Sequence, residues 1–221
     1  MLYSLARGGG LRLIAAIANG LVTGREAINR RVPLPDRVPL PEAGRSGLAD
    51  FADWLSGLEQ GTFLELGTRR VTGTPSTTRA DWAPRLRYIG SDFQDGEDVD
   101  VVADIENLSA TFAAGSIDAV VACSVFEHIR RPWLAAAEIG KVLRPGGRVY
   151  VQTHNCFPIH AHPFDYWRFT REALDFLFCD EHGFCRQETW YDFPAAIVSS
   201  QVPRGALGGA FLNVCLTAER R

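Results

Sequence analysis

The run Thr62-Phe63-Leu64-Glu65-Leu66-Gly67 constrains this chain more than any other segment. It is a short apolar strand that ends in an acid and then a glycine, where backbone without a side chain can come close to a ligand. In open α/β sheets that is the binding edge, because ligands lie outside the carboxyl ends of the strands where strand order reverses. Two further apolar segments also end in acids: Asp92 closes Tyr88-Ile89-Gly90-Ser91-Asp92, and Asp104 closes Val101-Val102-Ala103-Asp104. Carboxylates at three strand ends suit a ribonucleoside, with Asp92 placed to accept from ribose hydroxyls. Asp104 is placed to accept from an adenine amino group, with Ile105 or Phe93 against the base. The amides of Gly67 and Thr68 are candidates to meet a carboxylate or phosphate. The plainer alternative is that Asp92 and Asp104 are turn residues at strand ends.

The surrounding pattern is alternating α/β. Leu48, Phe51, Leu55 and Leu58 form a helical stripe, and strands are predicted at 62–66, 86–91, 99–103, 117–123 and 148–153. A helix is predicted from Pro132, with Ala135, Ile139, Val142 and Leu143 inward and a stop at Arg144-Pro145-Gly146-Gly147. A second helix, 170–178, takes Thr170 as its cap, and strands 184–191 and 211–217 close the chain. This order implies a doubly wound sheet. The 194–209 insert between the last two strands is read either as a flap over substrate or as an oligomer contact.

The 221 residues are 46% hydrophobic and 22% charged, enough for one full core and a small appendage. Residues 1–31 read as a helix with Ile14, Ile17, Leu21 and Ile28 on one face, followed by a stiff repeat, Arg31-Val32-Pro33-Leu34-Pro35 and Arg37-Val38-Pro39-Leu40-Pro41. The division expected is 1–45 for this extension and 46–221 for the catalytic domain. The basic helix permits a weak membrane-surface or partner contact; packing on the domain or a homo-oligomer is the favoured alternative. A net charge of −3 and the acidic stretch Asp95-Gly96-Glu97-Asp98-Val99-Asp100 argue against a nucleic-acid partner. Five cysteines without a CxxC pair fit a cytoplasmic protein, and no run reaches the roughly 20 apolar residues that cross a bilayer.

With these segments in place, the chain resembles the class I S-adenosylmethionine-dependent methyltransferases, particularly methyltransferase type 11, over about residues 48–218. The most specific matches are Ile117-Asp118-Ala119-Val120-Val121-Ala122-Cys123-Ser124-Val125-Phe126-Glu127-His128 and Val142-Leu143-Arg144-Pro145-Gly146-Gly147-Arg148. The resemblance implies a seven-stranded, mostly parallel, Rossmann-like α/β fold carrying the N-terminal helical extension. It implies S-adenosylmethionine as cofactor, held by Glu65, Gly67, Thr68, Asp92, Phe93, Asp104, Ile105 and Ser124. One departure stands out: Arg69 and Val71 replace the second and third glycines of the family's ExGxGxG loop. Arg69 and Arg70 either bind the methionine carboxylate or face solvent. A nicotinamide enzyme is disfavoured, since GxGxxG is missing.

For a hydroxyl acceptor, a base must take the proton, which histidine does well near neutrality. His154, His128 and Asp165 are therefore the catalytic candidates. The segment from His154 to Phe169 holds three of the five histidines and is expected to form the acceptor side, with His160, His162, Tyr166 and Arg168 on a small-molecule substrate. The alternative is a packed lid of aromatic residues and ion pairs. His154, His160, His162 and Asp165 offer metal-ligand types, but their spacing matches no strong signature and no metal is assigned. Methylation of an oxygen on a sugar, glycan precursor or secondary metabolite is the expected reaction. A catalytically inactive cofactor-binding regulator or scaffold is the rival from another class.

Overall fold

The computed structural model describes residues 47–71, 73, 78–197 and 209–221. The expected N-terminal helix, the proline repeat and most of the 194–209 insert lie outside the described residues. The chain divides into a larger compact unit, 43–193 with 211–221, and a smaller one, 1–42 with 194–210. Only 194–197 and 209–210 of the smaller unit are among the described residues.

The sheet has seven strands: β1 (Thr62–Leu66), β2 (Arg87–Asp92), β3 (Val101–Val102), β4 (Ile117–Cys123), β5 (Leu143–His154), β6 (Phe184–Ala196) and β7 (Gly209–Arg220). Their order is β3-β2-β1-β4-β5-β7-β6. The first five are parallel, and β7 runs antiparallel to β5. This is the doubly wound, mostly parallel sheet expected, with the order reversing between β1 and β4. Among the described residues, three α-helices flank it: α1 (Leu48–Ser56), α2 (Pro132–Val142) and α3 (Arg171–Leu177).

Continuous apolar runs make these strands because both faces are covered. Along β1, Phe63 packs with Phe51 and Leu55 of α1, Tyr150 and Trp190 on one face. Leu64 and Leu66 pack with Ile139 of α2, Leu174 of α3, Phe126 and Phe178 on the other. Leu58, predicted on the first helix, lies beyond its end but packs into the same group as Phe51. Thr170 caps α3 as expected, its side chain accepting from the Ala173 amide.

The last two strands run longer than the sequence reading, and two other boundaries differ from it for local reasons. β3 starts only at Val101, because Asp98 has a left-handed φ of 69° and the Val99 amide donates to Gly96 O, which keeps that segment in a turn. β5 begins at Leu143, before the Pro-Gly-Gly stop, which sits inside it as a break in register between Ile117–Leu143 and Ala119–Arg148. A Cβ on Gly147 would stand 2.9 Å from the Asp118 and Arg144 carbonyl oxygens, so the close approach there needs glycine.

Asp118 ties these parts together. Its Oδ2 accepts from the Thr62 amide at 2.7 Å, at the start of β1, and its Oδ1 accepts from Arg144 Nε at 2.6 Å. Asp118→Ala strips the partner from a half-buried amide and a half-exposed guanidinium. The expected loss is about 1–2 kcal/mol in urea unfolding, with an unchanged m-value; a loss below about 0.3 kcal/mol would show that this clasp carries no stability.

Candidate functional site

The carboxyl ends of β1, β2, β4 and β5 bring Gly67, Asp92, Ser124 and His154 to one edge of the sheet. Gly67 has φ +77°, and a Cβ there would stand 2.4 Å from Val125 Cγ2. The glycine is therefore required by the β4 loop packing over it. Its amide and that of Thr68 both donate to Ser91 O, at 2.7 and 3.2 Å. This corrects the expectation that these amides meet an anion: they fasten the end of β1 to β2 instead.

Beyond Gly67 the loop crosses to the β2–β3 connection. The Arg70 amide donates to Glu97 O at 2.9 Å, and its guanidinium grips Asp98 at 2.8 and 2.9 Å and Glu97 at 2.7 Å. Arg70 thus takes neither role offered by the sequence, and the Asp98 hydrogen bond raises its pKa further. Arg69 differs, since its Nε is buried, 3.8 Å from Asp92 Oδ1, and without a hydrogen bond. Thr68 Oγ1 and Ser91 Oγ are also buried without partners. Unpaired buried polar atoms are rare and mark places where a ligand or water completes the bonding.

Asp92 and Asp104 end neighbouring strands, joined by the Ala103 amide on Asp92 O at 2.9 Å. Each serves a turn with one oxygen. Asp92 Oδ1 accepts from Gln94 N at 3.0 Å, and Asp104 Oδ1 caps the 3-10 turn Ile105–Ala110 through Glu106 N at 2.9 Å. The second oxygen of each takes no hydrogen bond from the described residues. Ile105 is buried, whereas the Phe93 ring is 59% exposed and meets Phe164 edge-on at 6.5 Å. Ser124 is exposed, with a left-handed φ of 55°.

Glu65 has different company. Only 3% exposed, it pairs with the Arg79 guanidinium, accepts the Arg79 amide at 2.6 Å and accepts Tyr88 OH at 2.9 Å. Its oxygens are engaged by protein, and burial beside this carboxylate pushes the Tyr88 hydroxyl far above its usual range.

The other half of the edge centres on Glu127, which the sequence reading did not single out. Its side chain is fully buried, and Oε2 accepts Thr153 Oγ1 at 2.6 Å. Its backbone carbonyl accepts the amides of Tyr166 and Trp167 at 2.9 and 3.2 Å. Three histidines surround it. His154 Nδ1 is 3.1 Å from Oε1 but out of line for a hydrogen bond, and His128 Nε2 is 3.8 Å from the same oxygen. His160 meets both rings edge-on, at 4.8 and 4.9 Å between centroids. Phe157 stacks on His154 at 3.9 Å and 11°. Burial pushes Glu127 up and His154 down to about 4, so His154 is neutral at physiological pH.

Asp165 is held elsewhere. Arg168 binds both its oxygens, at 2.6 and 2.9 Å, and the His160 amide adds 2.8 Å. The Arg168 contact holds the Asp165 carboxyl well below the usual range. A carboxylate with three strong donors is a poor proton acceptor, so the structure gives Asp165 a positioning part where the sequence suggested a catalytic one. Arg168 in turn donates to the carbonyls of Phe157 and Pro158 at 3.0 and 2.9 Å, which fixes the loop carrying His160. Tyr166 is exposed, and His162 is exposed with no hydrogen bond or ring contact among the described residues. A separate cleft of about 240 Å³, lined by Gly47, Phe51, Arg148, Glu188 and Glu219, holds none of the expected site residues.

Residues 58–151 match the family described as a methyltransferase domain. The fold is similar to a SAM-dependent methyltransferase from Archaeoglobus fulgidus, with a TM-score of 0.57 at 14% identity over 78% of this chain and 91% of that one. It is also similar to the YcgJ protein of Bacillus subtilis, with a TM-score of 0.56 at 14% identity over 79% and 98% of the two chains. A third similar structure is phosphoethanolamine N-methyltransferase 2 of Haemonchus contortus, solved with phosphomonomethylethanolamine and S-adenosylhomocysteine. There the TM-score is 0.51 at 14% identity, over 79% of this chain and 52% of that one. At such identities the likeness is one of fold. No curated protein sequence matches the chain.

Gly67→Ala sets a methyl group against Val125 in a left-handed backbone, and the melting temperature should fall by about 5–10 °C. Adding Val125→Ala should restore part of that fall by removing the clash. Equal melting temperatures for the single variant and the parent would show that the packing is not tight.

Proposed function

We propose that the chain, whose residues 58–151 match a methyltransferase domain, is an S-adenosylmethionine-dependent methyltransferase that methylates a hydroxyl oxygen of a small molecule in the cytoplasm. A sugar, glycan precursor or secondary metabolite is the acceptor class. The observation that carries this reading is a buried histidine, His154, at the end of β5 and 3.1 Å from the Glu127 carboxylate, on the same sheet edge as Asp92 and Asp104. No helix among the described residues is long and apolar enough to cross a membrane, and all five cysteines are free thiols.

The residues fit the cofactor at its adenosine end. Asp92 and Asp104 each keep one carboxylate oxygen without a protein donor, beside the unpartnered atoms Thr68 Oγ1 and Arg69 Nε. In this reading Asp92 accepts from the ribose hydroxyls, Asp104 from the adenine amino group, and Ile105 and Phe93 flank the base, with Ser124 at the rim. Arg69, freed from the pairing that holds Arg70, is the cation for the methionine carboxylate. Glu65 contributes through Arg79 and Tyr88 by keeping the end of β1 rigid.

When bound, the cofactor supplies an electrophilic methyl group. The protein's task is then alignment and removal of one proton. His154 Nε2 accepts the acceptor's hydroxyl proton, and Glu127 Oε1, 3.1 Å from Nδ1, stabilises the imidazolium that results. Phe157, stacked on the ring, fixes its plane and keeps water from one face. His128, Tyr166 and Arg168 border the acceptor, and Asp165 acts through Arg168 and His160.

Incubation with labelled S-adenosylmethionine and fractionated cell extract tests the reaction and its acceptor together. His154→Gln should lower turnover about 100-fold or more while the cofactor Kd moves less than about 3-fold. Asp92→Asn should weaken the cofactor about 10-fold or more by calorimetry, as loss of a charged hydrogen-bond acceptor requires. Cofactor binding with no transfer to any fraction would favour the regulator, and no binding would defeat both readings.

A further inference from the structure

The cluster around Glu127 has a geometry that proton transfer alone does not require. We propose that Glu127, His128 and His160 form a binding site for one divalent transition-metal ion such as Zn²⁺. Their ligand atoms all lie within 4.8 Å of one another.

The lone pairs are the first argument. His128 Nδ1 lies 2.7 Å from Phe164 O, an atom that only accepts, so Nδ1 carries the hydrogen and Nε2 presents its lone pair. His160 Nδ1 lies 3.1 Å from Pro158 O and 3.5 Å from Asp165 Oδ2, again two acceptors, and its Nε2 is likewise left as the free donor. A carbonyl or carboxylate behind the imidazole is how metal-binding histidines are oriented and made more basic.

The third ligand supplies the second, independent argument. Glu127 is fully buried, yet its Oε1 has no hydrogen-bond partner. Beside it stands a second buried atom without a partner, His154 Nδ1 at 3.1 Å. A buried carboxylate oxygen that faces imidazoles and takes no hydrogen bond leaves part of its desolvation cost unanswered, and an ion at that point answers it. Metal–ligand bonds of about 2.1 Å put neighbouring ligand atoms roughly 3.4 Å apart, so the three side chains close by about 1.4 Å at most.

The surrounding loop is built to hold His160 there. Asp165 receives both Arg168 nitrogens and the His160 amide, and Arg168 also holds the Phe157 and Pro158 carbonyls. This set differs from the ligand types grouped in the sequence, since His162 makes no hydrogen bond or ring contact among the described residues and Asp165 is spent on Arg168. Two imidazoles and one carboxylate suit Zn²⁺, Co²⁺, Fe²⁺ or Mn²⁺ better than Mg²⁺ or Ca²⁺, which prefer oxygen alone. Three protein ligands leave coordination positions open to water or an acceptor hydroxyl. That last use rests on the methyl-transfer reading, whereas binding of the ion does not.

The test is titration of the full, chelator-treated chain with Zn²⁺ by calorimetry and with Co²⁺ by visible absorption. The expected result is one equivalent bound, with Co²⁺ ligand-field bands. His160→Ala and Glu127→Gln should each weaken Zn²⁺ at least about 10-fold, and Asp165→Asn about 10- to 100-fold with the bands shifted. His162→Ala should leave affinity unchanged. Circular dichroism of each variant guards against loss of fold, and His160→Cys, which keeps a ligand atom, should retain a tight site with a sulfur charge-transfer band. No saturable equivalent in the parent, or affinity insensitive to His160→Ala, overturns the proposal. Zn²⁺ binding without methyl transfer keeps this proposal and fails the preceding one; methyl transfer by a chain that binds no metal does the reverse.

Discussion

The fully buried Glu127 carboxylate is the point on which the acceptor half of the structure depends. Its side chain bonds Thr153 in β5, its carbonyl accepts two amides of the 157–168 loop, and His154 and His128 lie against its free oxygen. Three elements far apart in sequence therefore share one residue. Replacing a group of this kind by an apolar one would leave two amides in place but strand a hydroxyl and two imidazoles, so its cost is spread across the loop rather than confined to one bond.

The cofactor half is organised differently. In the family pattern, glycines let backbone wrap a ligand; here Thr68, Arg69 and Arg70 follow the single Gly67, and side-chain bonds take over the work of shaping the loop. Arg70 ties it to Asp98 and Glu97, and the Gly67 and Thr68 amides tie it to Ser91. The loop gains rigidity and gives up amide donors. In the proposed reading, recognition then falls on Asp92, Asp104 and Arg69, since each acid uses one oxygen for a turn and Arg69 Nε makes no hydrogen bond.

Strands buried on both faces were legible because a run such as Ile117 to Cys123 has no other way to hide its side chains, and that strand matched residue for residue. Thr170 was legible as a cap for the same kind of local reason. Where distant segments meet, the pattern fell silent. The ends of β3 and β5 depend on a left-handed Asp98 and on a register break opposite Asp118, neither of which a hydropathy run records. The pairing of Arg70 joins residues 28 apart. Nothing local in the sequence marks Glu127, an acid beside a histidine in the turn after a strand. Only the packing of β5 and the 157–168 loop over it makes it a buried charge.

Two acids at this edge of the sheet, Glu65 in β1 and Glu127 in the turn after β4, are almost fully buried, and they are compensated in different ways. Glu65 is answered directly by the Arg79 guanidinium, an amide and a phenol, so its charge is compensated and its geometry fixed. Such a pair, once satisfied, has little left to offer a ligand. Glu127 is answered by one hydroxyl and by imidazoles whose charge depends on what else is bound. Leaving the compensation to titratable groups costs stability but makes the cluster responsive to a proton or an ion, the property on which both proposals for this edge rest.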